Sequence, residues 1–449
     1  MFAARLPHRA VVLAMALASG TAVAGQLDYT AYAGIEHTDN VNLSASQPVS
    51  QNILSPGINF SFLQQGSTIQ ANIVGALEYR HFMSNAFDNQ TVAQLNGRLN
   101  WTVLPQRLDF TAEDFAGVQP LSTLSSNTPA NQQQTNVVTL GPTLYFRLGN
   151  TVHGQGELRY IGSDASRTKE FNSSRGLAAL RLIKDLNPTD QLSLNLESQH
   201  VNYAERVIQG SAGYLNPNYN GNAVYVRYLS QLAHLDIDVA AGWSQLVFHG
   251  APNETSPLLR LTVGWQASPY SNFSISGARQ YSDATQELML PTAQRLVDVA
   301  AASGYAGPGS GGISTGDSVI NQQVYLDQRV EATYTFTAAR FNLTLSPLYG
   351  KRSYPNDVSF DQTERGVSGG INYKLTNRLS FLASADVRRL TYRTLQRRDR
   401  VSAYEVGLNA VQTRHWSYQL SLTHRERSSN ASDAGYRENG IYFGVSYRR

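Results

Sequence analysis

Strand-like runs with one oily and one polar face recur from end to end of this chain, and the connections between them alternate between short and long without a break. Leu192, Leu194 and Leu196 alternate with Gln191, Ser193, Asn195 and Glu197, while Leu235, Ile237, Val239, Ala241 and Trp243 alternate with His234, Asp236, Asp238 and Ser244. Trp416, Tyr418, Leu420 and Leu422 likewise oppose His415, Ser417, Gln419 and Ser421. A period of two puts successive side chains on opposite faces of a strand, so each run has one wet and one oily side. Short links such as LNPTDQ, ASPYSN, LTNR and Gln64-Gln65-Gly66 read as tight hairpins. Longer polar segments lie between them, among them Thr38 to Ser50, Gln119 to Gln134, Asp283 to Gln323 and Lys351 to Thr363. Short turns at one rim and long loops at the other are the pattern of a transmembrane antiparallel β-barrel of the outer-membrane type. Counting runs gives about 20 strands, with 18 or 22 as alternatives, because boundaries read from sequence are uncertain by a few residues.

A soluble sandwich alternates too, so the aromatic residues carry the distinction. Phe62, Trp101, Phe110, Phe146, Trp265, Phe273, Phe336, Phe341, Tyr373, Phe381 and Trp416 stand on the oily parity, close to the short turns. Rings gathered at one depth are expected of a bilayer interface, whereas a sandwich core holds its largest rings mid-strand.

The start of the chain sets its destination. Arg5, His8 and Arg9 precede an apolar run from Ala10 to Ala18 and the sequence Ala22-Val23-Ala24, the order of parts in a secretory signal peptide. Residues 1–24 are therefore expected to be removed, leaving 25–449 as one barrel domain. No later window approaches ~18 consecutive apolar residues, so membrane helices are not expected. Without Arg5 and Arg9 the chain carries 34 Lys+Arg against 33 Asp+Glu, a near-neutral balance that argues against a nucleic-acid partner. Cysteine is absent, which leaves no disulfide scaffold or thiolate metal site.

Candidate chemistry sits on the wet face. Arg80, Arg98, Arg107, Arg147, Arg159, Asp236, Asp238, Arg260, Asp327, Arg329, Glu331, Asp386 and Arg388 are the expected lumen-lining residues. Rings of one charge sign set ion preference, and here the signs roughly cancel, which suits a neutral or weakly charged sugar chain better than a densely anionic polymer. Tyr145 and Tyr325 share that face and are candidates for stacking on sugar rings. Asp236 with Asp238 is a pair to weigh for acid–base cleavage, since glycosidases need two carboxyl groups at a defined gap. Mixed-sign lining of a water-filled lumen is the simpler reading, and no enzyme activity is expected. The string Gly312-Ile313-Ser314-Thr315-Gly316 matches G-x-S-x-G, but it follows GYAGPGSG rather than a strand-to-helix elbow and is read as chance. The nine His are scattered, and neither a metal nor another cofactor is expected. Glu287 to Ala302 has helical character after Pro291, within a connection long enough to fold inward as a plug or to lie exposed.

Ile441, Phe443, Val445 and Tyr447 alternate up to the C-terminus. This resembles the terminal strand that the barrel-assembly machinery reads in outer-membrane proteins, with Arg449 where that pattern has Phe, which implies recognition through Phe443 and Tyr447. The words HTDNVNLS, LNPTDQLSL and YFGVSYRR resemble the β-barrel porins that include the EpsL-type outer-membrane proteins of exopolysaccharide operons, often found with exosortase (PEP-CTERM) systems. The resemblance implies a passive outer-membrane conduit in exopolysaccharide synthesis and export, working with a periplasmic export apparatus. A general or solute-selective porin is the alternative, and a barrel enzyme modifying lipid or polysaccharide is the third reading. Expected partners are outer-membrane lipid and lipopolysaccharide, the polysaccharide and the export and assembly machineries, in the outer membrane of a Gram-negative bacterium. The family brings no catalytic residues to carry over.

Overall fold

The computed structural model describes residues 25–205, 207–208, 214–289, 313 and 320–449. The expected signal segment 1–24, the G-x-S-x-G string apart from Ile313, and residues 290–302 of the expected helix lie outside them.

The strands are β1 (Gln26–Thr38), β2 (Gln51–Gln65), β3 (Ile69–Phe82), β4 (Gln90–Leu104), β5 (Leu108–Pro120), β6 (Gln132–Arg147), β7 (Val152–Ala165), β8 (Ser173–Asp185) and β9 (Asp190–Tyr203). A minimal outer hairpin, β10 (Val207–Ile208) and β11 (Tyr214–Leu215), follows. Then come β12 (Tyr219–Gln231), β13 (Leu235–Phe248), β14 (Glu254–Ser268), β15 (Ser271–Ser282), helix α1 (Ala284–Met289), β16 (Tyr325–Thr337), β17 (Phe341–Ser353), β18 (Gln362–Lys374), β19 (Leu379–Tyr392), β20 (Arg397–Val411), β21 (Trp416–Ser429) and β22 (Tyr436–Arg448). All but the outer hairpin form one antiparallel sheet of 20 strands in which each pairs with its neighbours in sequence. β1 pairs with β22 from Thr30↔Arg448 to Thr38↔Gly440, which closes the sheet into a barrel with no free edge. No helix among the described residues is long and apolar enough to cross a membrane.

Three of the short turns share one device. Asn187 Oδ1 accepts the Thr189 and Asp190 amides at 2.9 and 2.8 Å, and Thr376 Oγ1 accepts those of Arg378 and Leu379 at 3.2 and 3.0 Å. Thr413 repeats it for His415 and Trp416 at 3.2 and 3.1 Å. A side-chain oxygen taking amides two and three residues on turns the chain without a separate core to hold it.

The alternation decides what each face meets. The oily parity points outward, and its members remain well exposed, for example Leu196 at 43%, Trp243 at 53% and Leu422 at 55%. The aromatic residues near the short turns lie on that outer face and pair across strands: Trp101↔Phe110, Trp265↔Phe273, Phe341↔Tyr373↔Phe381 and Trp416↔Tyr447. Buried apolar clusters form inside instead, under the long connections. At the closing seam the Tyr442 ring lies across Gly34 and Gly444, where a Cβ would come within 2.2 and 2.5 Å of its hydroxyl. Glycine is required there because the ring uses the space of two side chains.

The cluster Thr38-Asp39-Asn40 ends β1 by fastening it to the last strand. Thr38 donates to Glu438 at 2.7 Å, Asp39 accepts the Asn439 amide at 2.7 Å, and Asn40 donates to the Arg437 carbonyl at 2.7 Å.

One seam is incomplete. β4 and β5 pair only as far out as Leu95↔Ala116, although β4 still pairs with β3 at Gln90 and β5 with β6 at Pro120. The Gln134 amide fills the gap: its Oε1 accepts the Ala93 amide at 3.2 Å, and its Nε2 donates to the Ala93 and Gly117 carbonyls at 2.8 and 3.0 Å. A side-chain amide thus satisfies backbone groups that a neighbouring strand normally would.

Candidate functional site

Inward parity brings the polar faces of all 20 strands onto a common lumen. In the half nearest the short turns the lining is polar and of mixed sign. Arg98 lies 3.4 Å from Glu113, Arg181 lies 3.1 Å from Glu157, and Arg159 donates to Thr143 at 2.6 Å. Arg107 and Arg147 line a recess of about 1020 Å³ at the inner rim with Asp109, Tyr145, His153 and Asp185.

The other half is crossed by the chain's own connections. Asp283 follows β15 and is fully buried; it is ion-paired to buried Arg175 and accepts the Tyr219 hydroxyl at 2.6 Å. Its other oxygen takes the Gln286 amide at 2.9 Å, which caps α1. Glu287, one turn on, pairs with Arg352, accepts the Tyr325 hydroxyl at 2.7 Å and lies 3.6 Å from Arg329. Ala284 and Ile320 bury against Val137, Ile161 and Phe171, with Leu288 and Met289 packed on them. Ile313 rests between Val92 and Val118, beside the incomplete β4–β5 seam, and its carbonyl accepts Arg80 at 2.5 Å. β16 is the fourteenth strand of the ring and β4 the fourth, so these anchors lie on opposite walls of a 20-strand barrel. The described parts of this connection therefore fold into the lumen.

A second connection, between β5 and β6, also turns inward. Its Leu124 carbonyl accepts Arg397 at 2.8 Å and its Ser125 carbonyl accepts Arg427 at 3.1 Å. Both guanidiniums share Asp399, which is 1% exposed. Burial of a carboxylate is tolerable when it is paired and hydrogen-bonded, as here, where Ser429 also donates at 2.6 Å. A pocket of about 200 Å³ on this side is bordered by Thr123, Arg352, Glu364, Arg388, Tyr392 and Arg427.

The residues expected to line the lumen fall on inward positions, with Arg107 in a turn at the inner mouth, but they do not form one constellation. Asp238 is gripped by Arg227 through two bonds of 2.7 and 2.6 Å, while Asp236 sits exposed nearer the inner rim. Arg260 donates to Gln280 at 2.6 Å and lies 5.1 Å over the Tyr225 ring. Arg388 joins Asp386 at 2.9 Å and Glu364 at 3.5 Å. Glu331 lies inward beside Ser276. Asp327 Oδ1 is buried with no hydrogen-bond partner among the described residues, although it lies in register with Arg352. Tyr325 does not serve as a stacking platform: it is 2% exposed, its hydroxyl is held by Glu287, and Tyr354 packs 5.2 Å away. Tyr145, 36% exposed, keeps a free face. Among the described residues no group of His, Asp and Glu is arranged to hold a metal ion.

Sequence reasoning missed Arg175, Asp283, Glu287, Arg397, Asp399 and Arg427. Asp399 and Arg427 stand on inward parity and were open to the same count, whereas Asp283 and Glu287 belong to a connection whose direction no periodicity encodes.

A family model described as surface lipoprotein assembly modifier matches residues 320–448, the span of β16 to β22. No curated protein matches the chain. Among solved structures it is similar to the FrpB iron transporter from Neisseria meningitidis, F5-1 variant, at 9% identity over 94% of this chain and 82% of that chain, with a TM-score of 0.46. It is similar to the siderophore receptor PirA from Pseudomonas aeruginosa at 12% identity over 95% and 81%, TM-score 0.46, and to OccAB3 of Acinetobacter baumannii at 9% over 95% and 100%, TM-score 0.42. A sheet without edges, an exposed oily exterior, interfacial rings and a wet interior together fit only a lipid bilayer crossed by strands. The chain is an outer-membrane β-barrel of a Gram-negative bacterium, with the outer half of its lumen narrowed by its own connections.

Proposed function

We propose that this barrel is a gated conduit for a hydroxyl-rich, weakly charged polymer, an outer-membrane component of exopolysaccharide export. The observation that carries the gating is the connection after β15, pinned to opposite walls through Asp283–Arg175, Glu287–Arg352 and Ile313. A general porin keeps a standing aqueous path, while an export pore has reason to stay shut until cargo arrives. Sugar cargo is supported by the EpsL-type resemblance and by a lumen whose Arg, Asp, Asn and Gln offer many weak hydrogen bonds, so that no unit is held too tightly to move on. Asp238 is held by Arg227 through two bonds, which supports a lumen-lining role for it over acid–base cleavage.

The family match over 320–448 favours a second reading, in which the barrel serves the assembly of surface lipoproteins. A strain lacking this gene, with its neighbours still expressed, separates the two. Loss of secreted polysaccharide with normal lipoprotein display supports the conduit. Normal polysaccharide output overturns it, and protease-shielded lipoproteins in that strain select the second reading.

A further inference from the structure

The strands that form the second half of the barrel carry a row of arginines that the lumen does not use. Arg365 of β18, Arg389 of β19 and Arg400 of β20 are directly opposite one another across adjacent strands, Arg365↔Arg389 and Arg389↔Arg400. They share outward parity with the lipid-facing Val367, Val387 and Tyr404 and stand just beyond them towards the long connections. All three are exposed, and none has an ion pair among the described residues. Lys351 and Arg398 stand two residues further out than Tyr349 and Arg400 on the same face, and Tyr349 packs 5.6 Å beneath the Arg365 guanidinium. Elsewhere round the barrel, outward positions near the long connections carry His37, His81, Asp164 and His200.

Like charges facing each other across a ladder repel, and side chains there have Cβ atoms about 5 Å apart. Single arginines at a membrane rim snorkel to water and need no partner. Three in register do, and an anion seated among them turns the repulsion into a shared, charge-assisted grip. Guanidinium matches phosphate bidentately, and the row stands at the rim of the oily face nearest the long connections.

We propose that Arg365, Arg389 and Arg400 form a binding site on the outside of the barrel for the phosphate groups of an outer-leaflet phosphorylated glycolipid, with Lys351 and Arg398 as a second cationic tier. The site holds the β18–β20 arc of the barrel against the leaflet. The proposal depends on the seat in the membrane and not on the nature of the cargo.

The test uses the refolded full-length mature barrel in micelles, with bisphosphorylated lipid A as probe and native mass spectrometry as readout. Substituting R365Q/R389Q/R400Q is expected to weaken retention by roughly 100-fold, since each basic side chain at an anionic membrane surface contributes about five-fold. R365K/R389K/R400K, which keeps the charge and loses the fork, is expected between the two. Wild type is expected to discard dephosphorylated lipid A and to retain the phosphorylated form when millimolar inorganic phosphate is added. Equal retention by wild type and the glutamine variant overturns the site. Displacement by inorganic phosphate overturns the headgroup assignment. Heat-modifiable migration on gels verifies folding, and R389Q alone, expected to lose several-fold, replaces the triple variant if that fails to fold.

Discussion

Glu287 concentrates the hold on the long connection in one side chain, because its carboxylate meets Arg352, Arg329 and the Tyr325 hydroxyl at once. Removing its charge leaves Arg352, 7% exposed, without its nearest counter-ion. Breaking a buried pair in this way costs about 3 kcal/mol, far more than a surface pair returns. E287Q is therefore expected to raise the open fraction of the pore, seen as larger or more frequent conductance steps in planar bilayers. Conductance identical to wild type would show that the connection is not the barrier. Tyr325 and Arg352 lie 38 and 65 residues beyond Glu287, with Arg329 between them, so no local pattern announces these partners. Tyr325 illustrates the same limit: its parity was legible, and its burial under Glu287 was not.

At the level of elements, the β4–β5 seam rests on Gln134 where backbone pairing ends at Leu95↔Ala116. Q134A leaves the Ala93 amide and carbonyl without these partners, a cost of about 1–3 kcal/mol if water does not replace them. Hydrogen exchange at Ala93 should accelerate while Leu99, deeper in the same strand, stays protected. Equal protection of Ala93 in the variant would mean that the seam closes without this amide. Gln119 to Gln134 reads from sequence as one polar connection, yet β5 runs to Pro120 and β6 begins at Gln132. Glutamine carries little strand signal, and these residues became strand because the neighbouring strands extend that far. The hairpin turns, by contrast, were visible as short links such as LNPTDQ and LTNR, whose Asn187 and Thr376 act on amides two and three residues away.

For the whole molecule, the opposed signs lining the inner lumen set an expectation for ion flow. Arg98–Glu113 and Arg227–Asp238 pair within the wall, so both signs stand side by side among the described residues there. The reversal potential across a tenfold potassium chloride gradient should stay near zero; strong cation or anion preference would point to an unpaired ring at the constriction. Sequence alone determined that the chain is a barrel of about 20 strands and which residues face lipid and which face water. A step of one residue reverses a side chain's direction, so a sustained period of two records both faces locally. The tertiary structure decided which connections enter the lumen, that β16 stands opposite β4, and that three arginines from separate strands stand abreast. Those facts follow from ring closure and inter-strand register, which join residues far apart in the chain and leave no periodic trace within any one strand.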